Sequence, residues 1–252
     1  MRTAIADWKP VDKELEPNAL RVVRSTSNHL VVAGPGAGKT ELLAQRACFL
    51  LETNSCRVPR RILALCFKRD AARALRERVV LRCGPEAGRR FVSKTYDSFV
   101  KGMIDRLSSA LPEEYRPSKP YRLVLSDADL RKEIDRALRT HAQGTDRRGF
   151  VSTNTVKQIF YTLPKKPFPL EASPTDAGSV LLLHVWAQLL AAKEGSALNF
   201  RLLTRLAEYL FATSTALRRA LHATYSHVFL DEFQDTTGIQ YDLVRGLFGG
   251  SQ

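Results

Sequence analysis

An α/β fold built on a parallel sheet is predicted by three observations. A short apolar run, His29–Ala33, enters the glycine-rich stretch AGPGAGKT at 33–40, and apolar residues at helical spacing follow in ELLAQRACFLLE. Strand-like and helix-like segments then alternate as far as residue 107. A last apolar run, HVFLD at 227–231, ends in the acidic pair Asp231–Glu232. Strands alternating with helices of this length favour a parallel sheet with helices on both faces.

Taken in order, HLVVA (29–33) reads as a strand feeding a glycine-rich turn, with a helix after it. RRILALCF (60–67) reads as a buried strand. AARALRERVVLR follows as a helix that sets Arg73, Arg76, Arg78 and Arg82 around an Ala/Leu/Val stripe. FVSKTYDSFVKGMIDRL (91–107) reads as a short strand running into a helix that begins near Tyr96. From 108 to 196 prolines at 112, 117, 120, 164, 167, 169 and 174 punctuate helical patterns, which predicts a mainly helical insertion. Within it SDADLRKEIDRALRTH carries Ser126 or Asp127 as its N-cap, and GSVLLLHVWAQLLAAKEG reads as a second helix. NFRLLTRLAEYLFAT and LRRALHATY are helical and lead to the strand HVFLD, after which EFQDTTGIQYDLVRGLF ends as a helix. The expected organisation is a core of 1–107 with 197–252 and an inserted subdomain at 108–196.

The 252 residues hold 39 Lys and Arg against 26 Asp and Glu, a net charge of +13, with 44% hydrophobic and 26% charged residues. That balance is average for a globular chain and excludes disorder over most of its length. The charge is uneven, because residues 57–150 hold 23 basic and 12 acidic side chains, +11 of the total. Such an excess favours a polyanionic partner, nucleic acid before a membrane surface. Cysteines at 48, 56, 66 and 83 show no CxxC spacing, so buried reduced thiols are expected rather than a disulfide scaffold or a zinc site. Histidines 29, 141, 184, 222 and 227 show no metal-ligand spacing, and His184 and Trp186 read as packing. With no signal-peptide core and no 18-residue apolar stretch, the expectation is a cytoplasmic protein with no membrane partner.

Two motifs carry chemistry. In the first, Gly34, Gly36 and Gly38, with Pro35 and Ala37 between them, let the backbone turn tightly and aim N–H groups at phosphate oxygens. Lys39 then reaches the β- and γ-phosphates of ATP, and the Thr40 hydroxyl holds Mg2+. Ala33 stands where the strict pattern has glycine, and the bland alternative is a glycine-rich turn beside a fortuitous Lys-Thr. In the second, VFLDEFQD (228–235), a strand ending in Asp231 sets a carboxylate at the sheet edge to hold Mg2+ through water. Glu232 beside it is then placed to act as general base on the attacking water, the alternative being an acidic pair that caps a helix.

AGPGAGKT, ILALCFKRDAARALRERV, the TYDSF of FVSKTYDSF, and DEFQDTTGIQYDLV resemble, in order, the first four signature segments of the UvrD/Rep-like superfamily 1 helicases. The resemblance covers about 15–107 and 197–252 and includes Gln234, Asp235 and Thr236 after the acidic pair, with Gln240 and Tyr241 beyond. It implies a P-loop NTPase core of RecA-like type with a helical insertion, an ATP-driven motor on single-stranded DNA, and ATP with Mg2+ as its ligands. By position it implies Phe67, Lys68 and Arg69 along the DNA path, Thr95, Tyr96 and Ser98 against DNA backbone and bases, and Gln234 as the link between hydrolysis and DNA. Bases stacked on aromatics with Lys and Arg along the backbone is how sequence-tolerant single-strand binding works. Phe67 as a core residue and Tyr96 as a helix cap remain the alternatives.

The departures are specific. Ala19 stands where the family has an adenine-reading Gln, and the second segment reads Cys66-Phe67-Lys68-Arg69 in place of Thr-Phe-Thr-Asn. Asp97 replaces the His of the third segment and sets a negative charge beside the implied DNA path. The γ-phosphate-sensing Gly-Asp-x-x-Gln segment and the second motor domain are not in the sequence. A fragment of a longer helicase, or a chain completed by a partner such as a nuclease subunit, is therefore expected. Two other functions share these motifs: a kinase or other phosphate-loop ATPase acting without DNA, and a non-unwinding accessory subunit of a nuclease or phage-defence complex.

Overall fold

Arg61–Cys66 (β1) is the strand on which the rest is hung: after Arg61 every residue of RILALC is buried. The computed structural model describes residues 3–12, 14–34, 36–143, 152–166 and 176–249. Its elements run Pro17–Arg24 (α1), Lys39–Glu52 (α2), β1, Arg69–Gly88 (α3), Phe91–Thr95 (β2), Tyr96–Leu107 (α4), Arg122–Leu123 (β3), Asp127–Gln143 (α5), Thr153–Thr162 (α6), Ala177–Leu190 (α7), Ala197–Leu198 (β4), Phe200–Thr213 (α8), Thr215–Thr224 (α9), Tyr225–Leu230 (β5) and Gly238–Phe248 (α10). β1 is the middle of a three-stranded sheet in the order β2-β1-β5. Both pairings are parallel. The fold is thus α/β on a parallel sheet.

The boundaries follow local chemistry. α3 breaks at Gly84, whose φ of 78° and ψ of 165° only glycine takes readily, with Pro85 restarting the helix behind it. Ser126 caps α5, its Oγ accepting from the Asp129 N–H at 3.0 Å. The Thr237 hydroxyl and the Gln240 side chain form a capping box at the start of α10.

One predicted strand is absent. His29–Ala33 joins no sheet, and Leu30 and Val32 are 77% and 89% exposed. The run pairs with none of the described strands, and its strand-like composition alone does not make it one. The parallel β3–β4 pair, which joins the region expected to be mainly helical to the first residues after it, has strands of two residues each and left no readable pattern. Among the described residues no helix is long and apolar enough to cross a membrane.

By packing the chain forms two units, residues 1–99 with 216–236 and residues 100–215 with 237–252. In the second, α5 packs with α6 and α7, and α8 with α10. In the first, α3 packs on β1 and β2, α2 on α3, and α1 on α2. The N-terminal segment is pinned to α2 by three contacts. Trp8, 1% exposed, meets Phe49 edge-on at 5.3 Å. Its indole N–H donates to Glu52 at 2.6 Å. The Gln45 amide both donates to and accepts from the Val11 backbone.

Glu41, in the first turn of α2, ties that helix to α3. It accepts from Gln45 at 2.9 Å and Arg82 at 3.2 Å, with the Arg78 guanidinium 3.7 Å away. Arg82 also pairs with Asp12. Burial pushes the Glu41 carboxyl up, but the Gln45 amide and the Arg82 and Arg78 guanidiniums together outweigh it and hold the acid below its ordinary 4.5. A carboxylate depressed in the folded state contributes stability above its unfolded value and loses it as pH falls below that value. Arg82→Ala is therefore expected to cost about 2 kcal/mol at neutral pH by removing the charged one of Glu41's two hydrogen-bond donors, and to flatten the acid dependence of stability below pH 4.5. Arg73→Ala, which removes only an exposed pair with Asp70, should stay within about 0.5 kcal/mol. Urea titrations followed by Trp8 fluorescence in a Trp186→Phe background measure both.

Candidate active site at the carboxyl edge of the sheet

Parallel register decides which residues meet. Cys66 pairs with Thr95, and Leu65 with Leu230. The next residue of each strand, Phe67, Tyr96 and Asp231, therefore leaves the sheet at one edge, the carboxyl edge, where open α/β sheets bind ligands. The Asp231 N–H continues the ladder, donating to the Leu65 carbonyl at 3.0 Å.

The glycine-rich loop stands in the same unit. Gly36 and Gly38 have φ of 75° and 81°, the left-handed region that side chains avoid. The Ala37 N–H closes the turn on the Gly34 carbonyl at 3.3 Å. Pro35 lies outside the described residues. Gly38 is the N-cap of α2 and offers no side chain to the first turn. The orphan N–H groups at that helix end are thus left for another acceptor, and the helix dipole favours an anion. Lys39 turns back on the loop, its Nζ donating to the Ala33 carbonyl at 3.2 Å. Thr40 follows it, half-buried.

Asp231 is 5% exposed. Burial first, and then the Glu232 charge, push its carboxyl above the usual range, opposed by the Glu232 backbone N–H, the Cys66 thiol and Lys39. The Lys39 charge is thus the smallest of the influences on the Asp231 carboxyl. Burial also raises the Cys66 thiol to about 11, so it stays protonated beside the carboxylate. Glu232 has φ of 49° and ψ of 50°, a left-handed backbone that costs a non-glycine residue about 1 kcal/mol or more. Its carboxylate accepts from the Gln234 amide. A site with unsatisfied helix-end N–H groups, one lysine, one hydroxyl and two adjacent carboxylates suits a phosphate chain with a divalent cation.

The candidate nucleic-acid residues divide into outer and inner groups. Phe67 is 47% exposed and so stands outside the core. Lys68, the N-cap of α3, and Arg69, its first residue, are exposed, as is Ser98. Thr95 and Tyr96 are 8% and 2% exposed and face inward. Thr95 caps α4, its Oγ1 accepting from the Ser98 N–H at 3.1 Å while the Ser98 hydroxyl donates to the Thr95 carbonyl at 3.0 Å. The cap is therefore Thr95, one residue before Tyr96. The Tyr96 hydroxyl instead bonds Thr236 Oγ1 at 3.1 Å, linking the start of α4 to the turn after the acidic pair. Burial raises the Asp97 carboxyl and the Arg69 charge opposes the rise, so the odd acid of this segment lies in the field of a neighbouring guanidinium. Reading the sequence missed the Cys66 contact and the Tyr96–Thr236 bond. The only signal for either was register between strands far apart in the chain.

Residues 15–252 match the family model described as the UvrD/REP helicase N-terminal domain. DNA helicase II of Escherichia coli (strain K12) is 24% identical over 235 residues, 90% of this chain and 31% of that protein. The putative ATP-dependent DNA helicase YjcD of Bacillus subtilis is 26% identical over 94% of this chain and 31% of its own length. The ATP-dependent DNA helicase UvrD1 of Mycobacterium bovis is 28% identical over 90% of this chain and 29% of its own. The chain thus spans about a third of the length of these relatives. With its glycine-rich loop, its acidic pair and 238 consecutive residues within the family match, the chain belongs to the UvrD/REP helicase N-terminal domain family.

Proposed function

We propose that this chain is the ATP-binding and single-stranded-DNA-binding part of a superfamily 1 DNA helicase. It couples ATP hydrolysis to translocation or unwinding together with a second motor domain, on this or a partner chain. The observation that carries the reading is the common edge: Phe67, Tyr96 and Asp231 leave adjacent parallel strands side by side, in the same packing unit as the glycine-rich loop. The reading includes a RecA-like core of 1–107 and 197–252 with helices on both faces of the sheet, a helical inserted subdomain at 108–196, and a cytoplasmic location.

The residues fit the nucleotide. Gly34, Pro35, Gly36, Ala37 and Gly38 wrap the phosphates, and the N–H groups of the first turn of α2 donate to them. Lys39 exchanges the Ala33 carbonyl for β- and γ-phosphate oxygens, a stronger, charge-assisted bond. Thr40 and Asp231 would hold Mg2+, which neutralises charge on the phosphate oxygens when bound. Glu232 takes the proton of the attacking water, and the Gln234 amide fixes its carboxylate. Thr236, two residues further on, holds Tyr96, so the turn that carries the base is bonded to the start of the DNA segment. On the outer side Phe67 stacks a base, and Lys68, Arg69 and Ser98 meet phosphates, with Thr95 and Tyr96 positioning them from behind.

Three measurements test this reading. Lys39→Ala should weaken binding of a fluorescent ATP analogue by about tenfold to a hundredfold with the circular dichroism spectrum unchanged; unaltered affinity would sink the nucleotide site. Glu232→Gln, in a helicase joining this chain to its second motor domain, should keep ATP bound while turnover falls by about 10²–10⁴, and an active variant removes Glu232 from the base role. Phe67→Ala should weaken single-stranded oligonucleotide binding by about 1–3 kcal/mol irrespective of sequence, with the steep salt dependence of phosphate neutralisation kept. Equal binding by the variant argues against stacking there.

A further inference from the structure

A cavity of about 190 Å³ opens beside the C-terminal half of α2. Arg46, Phe49 and Leu50 of that helix form one wall, the chain leaving α1 at Arg24–Thr26 another, and His227 of β5 the floor. It lies away from the glycine-rich loop. Phe49 and Leu50 are ten and eleven residues beyond Lys39, about 15 Å along a helix. His227 is four residues before Asp231, about 13 Å along a strand.

The lining has one sign of charge. Arg24, Arg46 and His227 line the space with Ser25, Thr26 and Ser55 and the apolar Ile5, Phe49 and Leu50, and no carboxylate is among the lining residues. Arg46 Nη1 donates to the Val23 carbonyl at 2.6 Å, and Arg24 Nη2 to the Trp8 carbonyl at 2.7 Å. These two bonds hold the guanidiniums in place without neutralising them, and each retains further N–H donors. Burial alone lowers the Arg46 pKa. Burial, and then the Arg46 charge, lower that of His227. A half-buried, charge-uncompensated guanidinium is costly unless an anion completes it. Paired guanidinium forks match the oxygens of a phosphate group. The volume admits a phosphate with a few waters and falls short of the range typical of larger organic ligands.

We propose that this cavity binds a small phosphate-bearing anion, free or at the end of a nucleic-acid strand, gripped by Arg24 and Arg46 and separate from the glycine-rich loop. The test uses the full 252-residue chain carrying Lys39→Ala, which silences the loop as a phosphate binder, with the His227 ring signals followed by NMR. Inorganic phosphate at constant ionic strength is expected to shift those signals saturably in the millimolar range. Arg46→Gln should weaken that response by about tenfold. Thr26→Tyr, which puts a large side chain on the lining and leaves both arginines and their backbone bonds in place, should weaken it too and guards against misfolding of the Arg46 variant. A parallel titration compares an oligonucleotide with and without a 5′-phosphate. A response to the phosphorylated strand alone assigns the strand end, and a response to inorganic phosphate assigns the free ion. If neither probe moves His227, or if both variants respond like their parent, the site does not exist.

Discussion

The double pairing of β1 is the constraint on which the site depends. A parallel strand flanked on both sides fixes three chain directions at once, and the register leaves no freedom over which residues emerge together. Cys66, Thr95 and Leu230 end the ladders, so Phe67, Tyr96 and Asp231 begin the edge. Slipping either pairing by one residue would turn every side chain of that strand to the opposite face. The apolar run ILALC, buried on both faces, is what makes such a slip costly. Chemistry at the edge is thus specified by burial in the middle of the sheet.

The positive charge that dominates residues 57–150 serves two ends. Arg78 and Arg82 turn inward onto Glu41 and join α3 to the helix that follows the glycine-rich loop. Arg122 and Arg136 both pair with Glu133, and Arg139 with Asp135. Exposed pairs of this kind stabilise little, yet each withdraws a cation from any polyanion. Lys68 and Arg69, exposed at the sheet edge, form no salt bridge with the described residues.

Much of this was legible in the sequence because it is written in local patterns. The apolar run of β1, the strand-to-helix switch at Tyr96 and the end of β5 before Asp231 fall where composition and periodicity place them. What was illegible depends on partners. HLVVA has the composition of a strand, but strands exist only in ladders, and it pairs with none of the described strands. The inward turn of Tyr96 could not be read either, because its hydroxyl is satisfied by Thr236, 140 positions away. The β3–β4 pair is too short to have a period. At the site itself the residue types were readable, and the left-handed backbone of Glu232 was not, since glutamate carries no preference for it.

That backbone matters for the two neighbouring carboxylates. Continued strand geometry would send Asp231 and Glu232 to opposite faces, one toward the core and one away. The left-handed turn at Glu232 ends the strand instead and starts the tight turn Phe233–Asp235. The two acids thereby acquire different surroundings: Asp231 is nearly inaccessible and bonds the Cys66 thiol, while Glu232 is half-buried and tied to Gln234. Adjacent titratable groups in unlike environments divide tasks rather than share one. In the proposed reaction the enclosed carboxylate suits charge binding and the more open one suits proton transfer. The strained backbone at Glu232 is therefore part of the site's construction, sustained by the sheet ladder that runs into it.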